Sequence, residues 1–493
     1  MTDSGAVRGP WILALDAGSS SVRAELFDAA GAEPPGFGAA RAEYSWRTEE
    51  GAMETDAEAL VGRCVEVIDG ALVAARKVGA EIAGVAMATF WHGLAGVGSD
   101  GRAVTPLFGW GDARAADAAR ELAGRMDAAE YHRRTGCWLH PTYPAARLLW
   151  LRAEAGDSLP RAVTWLSVGE MLLLRFFGEA RTSLSMASGT GLLGLRSCAW
   201  DEETLTAVGV EPGALPGVSD EPLRGLKAEW AARWPELGEV PWFPALGDGG
   251  CASLGSGAFG PGRMGLTVGT SAALRVLRAD PDPQAPESLW CYRLDGRRTV
   301  SGRALSNGGN AFAWLSRTLA LPAAEELDAA LDELPPDGHG LTVSPGLVTA
   351  RPPLIDPDER AALLGVSLAT TPLHIARAWL EAVAYRIADA ADAMEGAYGP
   401  ADEVVASGGA LHASPAWTRI IADVLGRPVR LAAVDEETAR GAALIALERL
   451  GLIDDLAAVA RVGGELFVPD AGRHAVYAAA RERRPSPPGP LSR

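Results

Sequence analysis

Two stretches of the chain share one pattern of apolar and polar positions. Trp11-Ile-Leu-Ala-Leu15 is continuously apolar, Asp16-Ala-Gly-Ser-Ser-Ser21 is small and polar, and Val22, Ala24 and Leu26 then alternate with Arg23, Glu25 and Phe27. That order predicts a buried strand, a tight turn and a second strand with two distinct faces. Met264-Gly-Leu-Thr-Val-Gly-Thr-Ser271, followed by Ala-Ala-Leu-Arg275-Val, repeats it near the middle of the chain. The recurrence, with an Arg a few residues beyond each turn, predicts two related halves.

Around these hairpins the periodicity changes. Residues 55–77 read as a helix and Glu81 to Thr89 as a buried strand leading into Phe90-Trp91-His92-Gly93. Asp112 reads as the N-cap of a helix. Thr135 to Tyr143 precedes another helix, Ser183 to Gly191 reads as a small-residue loop, and 211–244 as the Pro/Gly-rich crossing to the second half. Ser306-Asn-Gly-Gly-Asn310 leads into a helix carrying Ala311, Phe312, Trp314 and Leu315. Val404 to Ala406 is a strand; Ser414 and Pro415 give an N-cap and first helical position, and Gly426 with Pro428 stops that helix. Loops are expected at 279–288, 335–340 and 351–358, core helices through Leu450, and a disordered tail at 484–493.

Candidate chemistry gathers at the turns. Gly247-Asp248-Gly249-Gly250 places one carboxylate in a tight glycine turn, and Gly269-Thr270-Ser271 offers unhindered N–H groups and hydroxyls suited to phosphate oxygens. Together they suggest phosphoryl transfer; an ordinary loop and hairpin turn is the plainer reading. Asp16 could hold Mg²⁺ through water or serve only as an Asx-type turn residue. Trp91 and His92 lie at a strand's carboxyl end, where ligands collect in α/β folds, or belong to the core. Asp112 caps, or with Arg114 faces a polyol or carboxylate. His92 and Arg147 are further partners for a carboxylate. Gly308-Gly309 and Gly408-Gly409 admit a nucleotide or only start helices.

Composition narrows the class. A length of 493 residues allows two to four domains, and 48% hydrophobic with 22% charged residues is ordinary for a globular protein. A net charge of −18 argues against a nucleic-acid partner, because phosphate neutralisation needs a basic surface. Five cysteines with no CxxC support neither a disulfide framework nor a structural zinc site. No apolar run approaches the length of a membrane span, so a cytoplasmic enzyme without membrane partners is expected.

Taken in order over roughly residues 11–450, these motifs resemble the FGGY carbohydrate kinases of the actin/Hsp70/sugar-kinase ATPase superfamily. Asp16 to Arg23 is similar to the first phosphate motif, Gly247-Asp248-Gly249 to the catalytic-base motif, Gly269-Thr270-Ser271 to the second phosphate motif, and Ser407 to Trp417 with Ala422 to Gly426 to the adenosine motif. The resemblance implies an α/β fold of two RNase H-like domains flanking a central cleft, here 1–245 and 246–475, with 476–493 as the C-terminal end. It implies ATP and Mg²⁺ as cofactors and a small-molecule sugar or sugar acid as partner; a homodimer is the candidate assembly. Asp248 is then the catalytic base, and Trp91, His92, Asp112, Arg114, Tyr143 and Asp248 the acceptor side. Gly18, Ser19, Ser20, Ser21, Arg23, Gly269, Thr270, Ser271, Gly309, Asn310, Gly408, Gly409 and Ala413 are the nucleotide side, with Asp16 on the metal. Gly109-Trp-Gly-Asp-Ala-Arg114 and Thr135 to Pro144 look most like gluconate kinases within the family. Phe90-Trp91-His92-Gly93 departs from the Met-His pattern of gluconate and xylulose kinases, and xylulose or another polyol stays open as acceptor. A non-enzymatic nucleotide switch on the same fold is the alternative class.

Overall fold

The computed structural model describes residues 9–154, 162–348 and 360–484. The chain forms two compact units, the first holding residues 1–255, 278–300 and 435–461, the second 256–277, 301–434 and 462–493. The division therefore differs from a single boundary at 245/246: ten further residues and two later segments belong with the N-terminal half.

In the first unit, β1 (Trp11–Ala17), β2 (Ser21–Phe27), β3 (Ala40–Glu43), β4 (Ile82–Thr89) and β5 (Leu246–Gly247) form one sheet in the order β5-β4-β1-β2-β3. β1, β2 and β3 meander antiparallel, while β4 runs parallel to β1, and β5 parallel to β4. The Ala57–Val78 helix lies between β3 and β4 in sequence; Asp56 caps its start and left-handed Gly79 ends it, close to the 55–77 span expected.

The reason the first unit reclaims distant segments is packing. Among the described residues, β5 pairs with β4. The Glu437–Arg449 helix, buried along most of its length, meets the Asp248–Gly255 helix where both Gly255 and Gly441 lack side chains and the backbones touch. Arg440 locks it in place, donating to the carbonyls of Gly31 (2.9 Å), Gly255 (2.7 Å) and Ala460 (3.1 Å).

In the second unit, β6 (Arg263–Val268), β7 (Ala272–Ala279), β8 (Arg298–Leu305), β9 (Glu403–Ser407), β10 (Val429–Ala432) and β11 (Gly464–Phe467) follow the order β8-β7-β6-β9-β10-β11 within a larger sheet. β6 pairs antiparallel with β7 and parallel with β9, which runs parallel to β10. The order third-second-first-fourth-fifth is thus common to both halves, with the first two strands antiparallel and the fourth and fifth parallel to the first. The twofold internal similarity and the RNase H-like arrangement both stand.

Several local expectations change. Ser183 to Gly191 is not all loop: Ser183 accepts from the Met186 N–H and caps a short helix, Leu184–Ser188. Asp248 does not sit in a turn but opens the Asp248–Gly255 helix. Residues 476–482 of the expected C-terminal end belong to the Ala471–Glu482 helix, while 485–493 and the loop at 351–358 lie outside the described residues. No helix among the described residues is long and apolar enough to cross a membrane.

Candidate functional site

The parallel strands of the first unit aim their carboxyl ends the same way, and the candidate residues gather there. Asp16 lies near the end of β1, in register with Ala88 of β4 and Arg23 of β2. Trp91 and His92 follow β4, and Asp248 follows β5, whose Gly247 pairs with Thr89. Three adjacent strand ends therefore deliver two carboxylates and an imidazole to one edge of one sheet.

Asp16 is buried, and its Oδ1 has no hydrogen-bond partner among the described residues. Burial raises its carboxyl to about 7; Arg23 opposes the shift and Asp248 adds to it. A buried carboxylate oxygen without a donor beside a second acid is the kind of position a cation satisfies. Asp248 starts a helix, where exposed N–H groups favour negative charge, and its Oδ1 accepts from the Gly249 N–H at 2.7 Å.

The first hairpin turn is exposed at Ser19 and Ser20, whereas Ser21 is buried in β2. Tyr44 Oη donates to the Gly18 carbonyl and Trp46 Nε1 to that of Ser19, each at 2.6 Å. Both carbonyls are thereby occupied by donors, which reduces the negative potential a turn would present to phosphate. Arg23 pairs with Glu436 and donates to Ser21 Oγ at 3.2 Å. Tyr44, Trp46 and Glu436 carried no sequence signal beyond residue type.

Trp91 proves to be a support. Its Nε1 donates to the Ser185 carbonyl (3.0 Å) and its indole packs edge-on to Trp290 and Tyr292. An added Cβ on Gly247 would stand 2.5 Å from Cζ2 of that indole and closer still to Cε2 and Nε1. Glycine at 247 is required because the ring lies directly against the backbone that carries Asp248. Tyr143 is buried, its hydroxyl 2.8 Å from that of Tyr292 and its ring edge-on to His92. His92 holds φ +68°, and its Nδ1–H donates to the Gly189 carbonyl at 2.6 Å.

Asp112 and Arg114 depart from expectation. The following helix starts at Ala116 with Ala115 before it, so Asp112 does not cap it. Its buried carboxylate instead receives the N–H groups of Met53 (3.1 Å) and Arg114 (3.1 Å) and the Arg114 Nε (3.1 Å) and Nη2 (2.6 Å). Four donors replace the polyol hydroxyls it was expected to bind. Arg114 Nη2 also reaches Glu54 at 2.6 Å, and its guanidinium lies over Phe108 and Trp150. Burial pushes both acids up, but hydrogen bonds from Arg47 and then Arg114 hold Glu54, and those from Arg114 hold Asp112, below the usual carboxylate range. Nη1 of Arg114 has no hydrogen-bond partner among the described residues. Arg147 is fully buried with its guanidinium on backbone carbonyls, so it cannot meet a substrate carboxylate directly.

The remaining residues expected on the nucleotide side, from Gly269 to Ala413, lie in the second unit. Gly269 and Thr270 are exposed at the β6–β7 turn. Gly309 N–H donates to Gly269 O (2.8 Å) and Asn310 N–H to Thr270 O (3.0 Å), so these two amides hold the turn's carbonyls. The Asn310 side chain closes its own loop, accepting from Gly308 N–H and donating to Ser306 O. Gly308 and Gly309 thus buttress the second turn. Gly408 has φ +102°, and a Cβ there would stand 2.7 Å from the Val268 carbonyl carbon; this brings the end of β9 against β6. Gly409 and Gly269 have open space beside Cα. Ala413 ends the short Gly409–His412 helix, and Ser414 caps the Pro415–Leu425 helix, which stops at left-handed Gly426 as its sequence requires.

Residues 11–255 match the model of the FGGY family of carbohydrate kinases, N-terminal domain, and residues 264–449 that of its C-terminal domain. The chain is 26% identical over 397 residues to a gluconokinase of Bacillus subtilis (strain 168), covering 78% of this chain and 77% of the relative. It is 31% identical over 405 residues to a glycerol kinase of Thermus brockianus, covering 76% and 78%. Its fold matches that of a ligand-bound xylulose kinase from Lactobacillus acidophilus with a TM-score of 0.88 at 24% identity, over 96% of each chain.

Proposed function

Since the chain belongs to the FGGY family of carbohydrate kinases, we propose that it transfers the γ-phosphoryl group of ATP to a sugar or sugar-acid hydroxyl, with D-gluconate as acceptor and 6-phospho-D-gluconate as product. The observation that carries the reading is the pair of acids at the ends of the two strands flanking β4, Asp16 buried with an oxygen unpartnered among the described residues and Asp248 at a helix start. Asp248 orients the attacking hydroxyl and takes its proton. Asp16 is the group that would hold Mg²⁺, which when bound neutralises developing charge on the phosphates. The first hairpin turn, at Gly18, Ser19, Ser20 and Ser21 with Arg23, and the second, at Gly269, Thr270 and Ser271, receive the phosphates; Gly408, Gly409 and Ala413 border the adenosine side.

For gluconate in particular, support comes from the Bacillus subtilis relative and from Arg114, whose Nη1 can donate to a carboxylate. One charge-assisted bond contributes about 1.5–3 kcal/mol, roughly tenfold or more in binding. His92, just beyond the end of β4, is a further contact for the acceptor. A second reading, a neutral ketopentose or polyol, is favoured by the same guanidinium: most of its donors already serve Asp112 and Glu54.

ADP release measured with gluconate, xylulose, ribulose and glycerol separates the two. Gluconate should be used at least tenfold more efficiently, and its product should reduce NADP⁺ through 6-phosphogluconate dehydrogenase. A strong xylulose or glycerol signal with none from gluconate moves the acceptor and leaves the kinase chemistry standing. No acceptor-dependent ADP release at all would favour the nucleotide switch.

A further inference from the structure

Arg147 is a buried cation whose position calls for an explanation. It stands in the first turn of the Pro144–Glu154 helix and is 0% exposed. Its hydrogen-bond partners among the described residues are all backbone carbonyls: Nη1 donates to His92 O and, at 3.5 Å, to Phe108 O, while Nη2 donates to Thr142 O at 2.7 Å. Nε has none. Asp112 attracts it from a distance, yet burial pushes the guanidinium down to about 10. A buried charge without a bonded counter-ion is costly, so what it holds matters.

What it holds is the peptide after His92. That residue has φ +68°, a left-handed conformation that a side-chain-bearing residue keeps only when its surroundings impose it. A cavity of about 30 Å³ lies beside it, lined by His92, Gly93, Pro144, Ser167, Glu170 and Thr190. The Gly189 carbonyl fixes one ring nitrogen, and the guanidinium grips the His92 carbonyl. Without that grip the loop has both a conformational reason and the room to relax.

We propose that Arg147 is a positioning residue for the acceptor, clamping the His92 carbonyl so that the imidazole keeps its place at the end of β4. The proposal rests on the reading of His92 as an acceptor contact.

The test compares Arg147→Met, Arg147→Lys and His92→Ala in steady-state kinetics with the wild type's best acceptor, with thermal melts establishing folding. Arg147→Met should raise the acceptor KM at least tenfold, lower kcat by less, and leave the KM for ATP within twofold. Arg147→Lys, which keeps the charge but not the two-pronged reach of a guanidinium, should raise the acceptor KM by less, three- to tenfold. If Arg147→Met does not fold, Arg147→Lys decides alone: a three- to tenfold rise in acceptor KM with ATP KM unchanged supports the clamp, and an unchanged acceptor KM overturns it. Equal rises in both KM values indicate a general structural role and also overturn it. His92→Ala separates the two layers. If it raises the acceptor KM while folded Arg147 variants do not, the clamp alone is wrong; if it leaves the acceptor KM unchanged, the His92 reading falls and takes the clamp with it.

Discussion

Gly247→Ala is the most direct probe of how the first unit holds its candidate base. The new Cβ would stand 2.5 Å from Trp91 Cζ2 and nearer to two other ring atoms. Carbon–carbon contacts settle at about 3.5–4.0 Å, so the two groups must separate by at least ~1 Å. Trp91 is poorly placed to yield, being tied to the Ser185 carbonyl and walled by Trp290 and Tyr292. The displacement therefore falls on the short β5 strand and on Asp248, the next residue. Overpacking of this kind costs about 1–3 kcal/mol of stability. A ~1 Å shift of a catalytic group costs on the order of 10²-fold in rate. The assay is ADP release coupled to pyruvate kinase and lactate dehydrogenase, with thermal melts to establish folding. Gly124→Ala, at a helix position with nothing within 4 Å, is the control and should be neutral or slightly stabilising. A folded Gly247→Ala protein with kcat within threefold of wild type would refute the argument that Trp91 fixes the base.

Three further outcomes are expected. Asp248→Asn should lower kcat by roughly 10²–10⁴-fold while nucleotide binding, read by calorimetry, is unchanged; activity within threefold removes it as the base. Asp16 is held at about 7, so protons compete for it as pH falls through that value. Half-saturating Mg²⁺ should therefore be higher at pH 6 than at pH 8, and higher again in Asp16→Ala; superimposable Mg²⁺ titrations contradict the assignment. Glu25, fully buried and raised by burial to about 9 from an ordinary 4.5, binds a proton in the folded state that the unfolded chain releases. Its contribution to stability falls as pH rises from about 4.5 to about 9, so Glu25→Gln should raise the melting temperature more at pH 8 than at pH 5. Equal gains at both would count against it.

What the sequence revealed follows from how local each signal is. The two hairpins, the strand into Phe90 and the Ser414–Gly426 helix are written in a few consecutive residues, and each forms as read. Asp112 misled because an acid just before a helical pattern has the form of a cap; the Met53 amide, brought in by tertiary structure, and the nearby Arg114 guanidinium claim the same oxygens. Arg147 sits at a helical position that gives no sign of three carbonyls converging on it from three separate segments. Trp91 was recognisable as an aromatic at a strand end, but its role beneath Gly247 depends on β5 lying next to β4. The Glu437–Arg449 helix shows an apolar pattern that demands a partner without naming one, and its partner proves to be the N-terminal half.

That last pairing has a consequence for how the protein is made. A ribosome emits the chain from the N-terminus at about 5–20 residues per second. The first unit has almost all its strands by residue 255, yet the helix that covers Gly255 and supplies Arg440 arrives only with residues 437–449. Roughly 200 residues of synthesis separate the two, a wait on the order of 10–40 s. During that interval the nascent N-terminal half carries an apolar groove shaped for a segment that does not yet exist, and a premature stop before residue 435 leaves it open permanently. Truncated chains of this protein should thus be clients of chaperones and proteases, even though the strand ends bearing Asp16, His92 and Asp248 are all encoded before the missing part.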